Sequence, residues 1–310
     1  MGFMNPPLEE KGGQWTERES EEHINVLELR SVRFGIQACY HGEENVHIRI
    51  FSDNTATVSS VNHQGSVRSL SCDQEAQKIW KWAEKRNCWL SAAHVAGVKN
   101  VTADEKSRKF NQDSEWSLNQ EIFGILCQEF GKPDIDLFAS RLNHKVKIFC
   151  SWEPEPGAAH VDALMLDWKL YNYPYIFCPF SLIPNVLQLL DKHQSTALVI
   201  VPYWPTQNWF STLTDMIISV PVVIPVKEKT LSLIHKKSAV HPLVGKLKLI
   251  AVTLSGKLSE REAFLDQYQR LWKEPGGQEL KNSTRYISQS GLSIAVRGVS
   301  VQLKLLCLRL

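Results

Sequence analysis

Val46-His-Ile-Arg-Ile-Phe-Ser-Asp-Asn-Thr55 reads as a strand that runs into a helix start. Val46, Ile48 and Ile50 alternate with His47 and Arg49, the period-two pattern of a strand with one buried face. The strand ends at Phe51-Ser52-Asp53, so a carboxylate stands at its carboxyl end. Upstream, residues 21–39 follow a helical period, with Ile24, Leu27, Val32 and Ile36 on one face and His41-Gly42 as the stop. Residues 13–16 read as the end of a short strand. Downstream, one helix runs to Gly65 and another spans 69–86, with Ile79, Trp82 and Ala83 facing inward. Residues 88–95 form a further strand, and 101–108 a last short helix. The block is α/β.

A polar stretch at 109–115 marks the expected boundary of this block. The next opens with a helix over 119–130 and the strand Asp134-Ile-Asp-Leu-Phe138. Strands at 175–177 and 196–203 alternate with helices at 181–193 and 206–216. Pro184 sits in a first helical turn, where proline is tolerated. Strands alternating with helices imply a largely parallel, Rossmann-like sheet.

The chain has 310 residues, 43% of them hydrophobic and 22% charged, enough for two cored domains and unlike a disordered or collagenous chain. A net charge of +2 hides an uneven distribution. Residues 227–310 hold 15 Lys and Arg against 6 Asp and Glu, whereas the two preceding blocks are acidic. A basic segment of this kind is expected to meet polyanions. Pro275-Gly276-Gly277 reads as a linker, and residues 260–272 as an amphipathic helix. Seven scattered cysteines without a CxxC pair suggest neither zinc nor a disulfide framework, and fit a cytoplasmic or nuclear setting. The strongest apolar run, 216–226, is broken by Pro221 and Pro225 and is shorter than the roughly 18 residues of a membrane span. No membrane partner is expected.

Four polar residues of the first block fall at element ends or within helices: Glu28, Asp53, His94 and Asp104. Singly, each has an ordinary structural role open to it, such as helix capping for an aspartate at a strand end. As an ordered set, with the strings His23-Ile-Asn-Val-Leu-Glu-Leu29, Ser52-Asp-Asn-Thr55 and Asn100-Val-Thr-Ala-Asp-Glu-Lys-Ser-Arg108, they resemble the ribonuclease H domain of DIRS-like retrotransposon polyproteins over residues 12–110. The resemblance implies a ribonuclease H-like mixed sheet with helices. It also implies Glu28, Asp53 and Asp104 as catalytic, metal-binding acids and His94 as the loop histidine. The cofactor would be Mg²⁺ in a two-metal site, and the substrate the RNA strand of an RNA–DNA hybrid. Hard carboxylate donors suit Mg²⁺. Two such ions activate water and stabilise the leaving oxygen in an in-line displacement.

The family's first catalytic aspartate precedes the segment matching Gly13-Gln14-Trp15. Residues 1–12 contain Glu9 and Glu10 but no aspartate, and no strand is expected there. The chain therefore reads as an N-terminally truncated fragment with three of four metal ligands and a degenerate activity. An inactive nucleic-acid-binding remnant is the alternative reading. The parent polyprotein's reverse transcriptase would lie upstream, and its recombinase beyond Leu310.

Asp134-Ile-Asp-Leu-Phe-Ala-Ser140, Phe177-Cys-Pro-Phe-Ser181 and Val201-Pro-Tyr-Trp-Pro205 resemble the phage-type adenine methyltransferase-like domain that follows ribonuclease H in these elements. The resemblance implies a vestigial S-adenosylmethionine and base site at Asp136, Pro179 and Phe180. Phe177 stands where the family's signature has an acidic or amide side chain, so the ring that stacks on a flipped base is kept but the acceptor for its amino group is lost. S-adenosylmethionine is not expected as a cofactor, and a DNA adenine methyltransferase is the remaining alternative. The expected division is thus 1–115 ribonuclease H-like, 116–226 methyltransferase-like, and 227–310 a basic extension.

Overall fold

A computed structural model describes residues 2–5, 9–40, 42–67, 69–96, 116–233, 239–273 and 291–306, with backbone alone at 2–5, 9–12 and 271–273. The chain divides into two compact units, 1–112 with 154–156, and 113–153 with 157–310.

In the first unit, strands β1 (Gly2–Asn5) and β2 (Glu9–Gly12) form an antiparallel pair in which Phe3 faces Lys11. No strand was expected this early. The strand end read at 13–16 falls instead at Gly12, and Thr16 caps a one-turn helix, α1 (Glu17–Ser20), through a reciprocal capping box with Glu19. Helix α2 (Ile24–Cys39) follows, N-capped by His23. It buries Val26, Leu29, Phe34 and Ile36, whereas Ile24, expected on the inner face, is 58% exposed. Strand β3 (His47–Ser52) then leads through Asn54, which caps α3 (Thr55–Asn62), to α4 (Leu70–Glu84) and β4 (Trp89–His94). β3 and β4 pair in parallel, with Ser52 opposite His94.

This small core is built from Leu29, Ile48, Val61, Ile79, Ala83 and Leu90. Asn62 shields the edge of β4. Its Nδ2 donates to the Ala92 carbonyl and its Oδ1 accepts the Ala92 N–H, both at 2.8 Å, as a neighbouring strand would. Glu75, whose side chain is 1% exposed, ties α4 to α2 by pairing with Arg33, with Arg30 and Lys78 close by.

The second unit starts with β5 (Trp116–Leu118) and α5 (Gln120–Phe130), whose first N–H groups are capped by Asn119. Short strands β6 (Ile135–Asp136), β7 (Cys150–Ser151), β8 (His160–Val161) and β9 (Pro174–Ile176) precede α6 (Ile183–His193) and β10 (Thr196–Pro202). Then come α7 (Trp209–Asp215), β11 (Val222–Pro225), β12 (Leu231–Leu233), β13 (Lys248–Ser255) and α8 (Leu258–Lys273). The described chain ends with β14 (Ser293–Val296), β15 (Val299–Gln302) and β16 (Lys304–Leu305).

Six strands make one sheet in the order β16-β11-β13-β10-β9-β6. All run parallel except β13, which is antiparallel to both β10 and β11. Ala197, Val199, Val201, Ile250, Val252 and Leu254 enter the core on one face, and Leu198, Ile200, Leu249 and Ala251 enter the core on the other. Burial on both faces is why β10 and β13 are continuous apolar runs without alternation.

The expected separation of 227–310 as a basic extension is corrected here. β13 lies at the centre of the sheet, and α8 sends Phe264, Leu265 and Tyr268 into its core. The hydrophobic burial of these elements, about 1.5–3 kcal/mol for each fully buried large side chain, outweighs the repulsion among their exposed charges. Gly256, between β13 and α8, passes so close to α6 that a Cβ there would lie 2.1 Å from the Leu190 carbonyl oxygen. The helix expected at 101–108 and the linker at 275–277 lie outside the described residues.

Candidate functional site

Two parallel strands bring their carboxyl ends together in the first unit. β3 delivers Asp53, exposed immediately after Ser52, and β4 delivers His94, exposed in register with Ser52. Carboxyl ends of parallel strands are where open α/β sheets place ligands.

Glu28 reaches this corner from α2. Its carboxyl is held above its ordinary range, first by burial and then by the negative charge of Asp53. The two acids therefore share one electrostatic environment. The chain holds them there through amides. Asn54 Nδ2 donates to Asn25 Oδ1 at 3.0 Å, while Asn54 Oδ1 accepts the N–H groups of Ala56 and Thr57 at 2.9 and 3.2 Å. Asn25 and Glu28 are three residues apart and so lie on one face of α2. Ser52 completes the turn by accepting the Asn54 N–H on its hydroxyl at 3.1 Å.

Of the four residues expected in this site, Glu28 and Asp53 are electrostatically coupled, His94 stands at the end of the adjacent strand, and Asp104 lies outside the described residues. Among the described residues no three ligating side chains come together. The donor set nevertheless fits a hard divalent cation. Two carboxylates that repel each other's charge would be relieved by Mg²⁺ between them. Asn25 and Asn54 escaped the sequence reading as positioning residues. The signal for Asn54 was its place between a strand and a helix, where N-caps fall.

In the second unit Asp136 ends β6, flanked by Tyr175 of β9 on one side and, through a parallel bridge, by Phe149 on the other. From β6 the chain passes first to the Phe149 side and later returns on the β9 side, so Asp136 stands at a point where the winding of the sheet reverses. Asp136 itself is 3% exposed, and its Oδ2 accepts the Lys145 N–H at 2.8 Å. Burial raises its pKa to about 6, against the lowering effect of backbone donors at Lys145 and Phe138.

A buried carboxylate engaged in this way has little to offer a cofactor's ribose, so the residues present do not fit S-adenosylmethionine. Pro179 is exposed, but Phe180 is half-buried and meets Trp204 edge-on at 5.3 Å, which takes up the ring expected to stack on a base. Cys178 is buried and its thiol is pushed up to about 12, so it stays protonated.

No protein-family model matches the chain, and no curated protein matches it. No described helix is long and apolar enough to cross a membrane.

Proposed function

We propose that the first unit is a ribonuclease H-type module of retrotransposon origin that binds RNA–DNA hybrids and hydrolyses their RNA strand. One observation carries this reading: the hydrogen bond from Asn54 to Asn25, which ties the residue after Asp53, at the carboxyl end of β3, to the helix face that carries Glu28. The parallel β3–β4 pair with α2 and α4 packed in one core supports the ribonuclease H-like fold, and the mostly parallel sheet of the second unit supports a Rossmann-like one.

In this reading Glu28 and Asp53 would hold the divalent cations of a two-metal site, which when bound would supply an activated water and stabilise the leaving 3′-oxygen. The Asn54–Asn25 hydrogen bond keeps the two carboxylates at a fixed separation as substrate enters. His94, exposed at the end of the adjacent strand, hands a proton to the departing oxygen, a role imidazole commonly fills.

The test is Mg²⁺-dependent cleavage of a labelled hybrid by the full chain. Cleavage is expected, lost in Asp53→Asn, together with a Mg²⁺-dependent rise in melting temperature that both Asp53→Asn and Glu28→Gln remove. Hybrid binding with neither cleavage nor a Mg²⁺ response would replace this reading by that of an inactive binding remnant. A chain that neither binds nor cuts hybrids would sink both.

A further inference from the structure

Four lysines converge where β11 ends and β13 begins. Lys227 and Lys229 follow β11, Lys246 precedes β13, and Lys248 opens it. Backbone pairing sets their juxtaposition. Pro225 lies opposite Lys248, the Val226 N–H donates to the Leu247 carbonyl at 3.2 Å, and the Gly245 N–H donates to the Val226 carbonyl at 3.0 Å. Residues 225–227 and 246–248 therefore run side by side at one end of the sheet, and all four lysines are exposed.

Their charge is not neutralised locally. Elsewhere in the same basic quarter, Lys257 pairs with Glu260, Arg261 with Asp191 and Lys304 with Glu129. Among the described residues none of the four converging lysines has such a partner. Glu228 is the only acid between residues 226 and 256, a stretch that also carries Lys236 and Lys237. Four like charges held together on rigid backbone repel one another, a cost that a polyanion removes.

We infer that this end of the second unit's sheet is a sequence-independent binding surface for the phosphate backbone of nucleic acid. The choice of ligand rests on the proposed nucleic-acid function, but not on any nuclease chemistry. An anionic membrane is the weaker fit. Interfacial binding needs substantial inserted apolar area, and among the described residues between 226 and 256 the exposed large apolar side chains are Val240 and Leu243.

The experiment measures binding of the full chain to a labelled RNA–DNA hybrid and a labelled DNA duplex across a salt series. Wild type should weaken steeply with salt. Replacing all four lysines by Gln should flatten the log–log slope by about 3 and lower the affinity at about 50 mM salt by roughly 100-fold. Lys227→Gln with Lys229→Gln, and Lys246→Gln with Lys248→Gln, should each produce an intermediate loss, which guards against a folding defect in the quadruple variant. The ion-paired control, Lys257→Gln with Lys304→Gln, should bind as wild type.

Unchanged affinity and slope in the quadruple variant would overturn the inference. So would lysine-dependent binding to phosphatidylserine vesicles without binding to nucleic acid. Lysine-dependent binding by a chain that never cleaves hybrid would leave this surface standing and count against the nuclease alone.

Discussion

The side-chain amide of Asn54 donates to the side-chain oxygen of Asn25 at 3.0 Å, joining the residue after Asp53 to a residue one helical turn before Glu28. Two acids from different elements are thereby held in one electrostatic environment by a neutral hydrogen bond that titration does not touch. Their mutual repulsion would otherwise favour separation of α2 from the end of β3.

Replacing Asn54 by Ala removes this bond and the cap of α3 together. The expected loss is about 1–2 kcal/mol in urea unfolding of the first unit, typical of a lost N-cap. Asn25→Ala should cost less, about 1 kcal/mol. The double variant should fall short of the sum, because both changes delete the same bond.

Glu28 has a raised pKa, so the folded state holds its proton more tightly than the unfolded chain does. Its contribution to stability is therefore favourable at low pH and declines as pH rises through the carboxylate range. Glu28→Gln should leave the first unit at least as stable as wild type at neutral pH while abolishing the Mg²⁺ response. In Asp53→Asn, carboxyl-carbon NMR should find the Glu28 pKa lowered toward, but not reaching, its ordinary value, since burial remains the larger cause.

Glu75 titrates in the opposite direction. Burial would raise its pKa, but the hydrogen bonds and charges of Arg33 and Lys78 outweigh burial and hold it below the ordinary value. Its stabilisation is present above the ordinary carboxylate pKa and is lost as pH falls through the lowered one. Glu75→Gln should destabilise the first unit by about 3 kcal/mol at neutral pH, because Arg33 is left mostly buried without its partner. Denaturant unfolding near pH 7 and at acidic pH is the measurement, and the gap between variant and wild type should close in acid.

Asp136 tests the second unit. With its pKa raised to about 6, it should cost the folded state stability as pH climbs from about 4 to about 6, by about 3 kcal/mol in total. Asp136→Asn should be insensitive over that window and no less stable than wild type at pH 7. A parallel decline in both proteins would assign the pH dependence to other groups.

Gly256→Ala should lower the melting temperature of the second unit, with a cost of about 1–3 kcal/mol or more. The added methyl meets backbone at Leu190 and Gln194, neither of which can rotate away. An unchanged melting temperature would mean that β13 and α6 are not packed as described.

The sequence by itself determined the elements whose signals are local. Alternation in Val46–Ile50 marked β3, and Ile79, Trp82 and Ala83 marked the buried face of α4. Glu28, Asp53 and His94 were legible as candidates only as an ordered set, through the resemblance their strings carry, since singly each has an ordinary structural role open to it. The apolar run Leu249–Leu254 is equally local, but it is set among lysines, whose charge is the signal of an exposed segment.

Only the tertiary structure decided that this run is a central strand, that Asn25 meets Asn54, that Asp136 is enclosed rather than open to a ligand, and that four lysines share one end of a sheet. Each of these depends on residues tens of positions apart meeting through strand order and packing. Composition and periodicity report what a residue prefers, whereas its neighbours across a sheet are chosen by the lowest free energy of the whole folded unit.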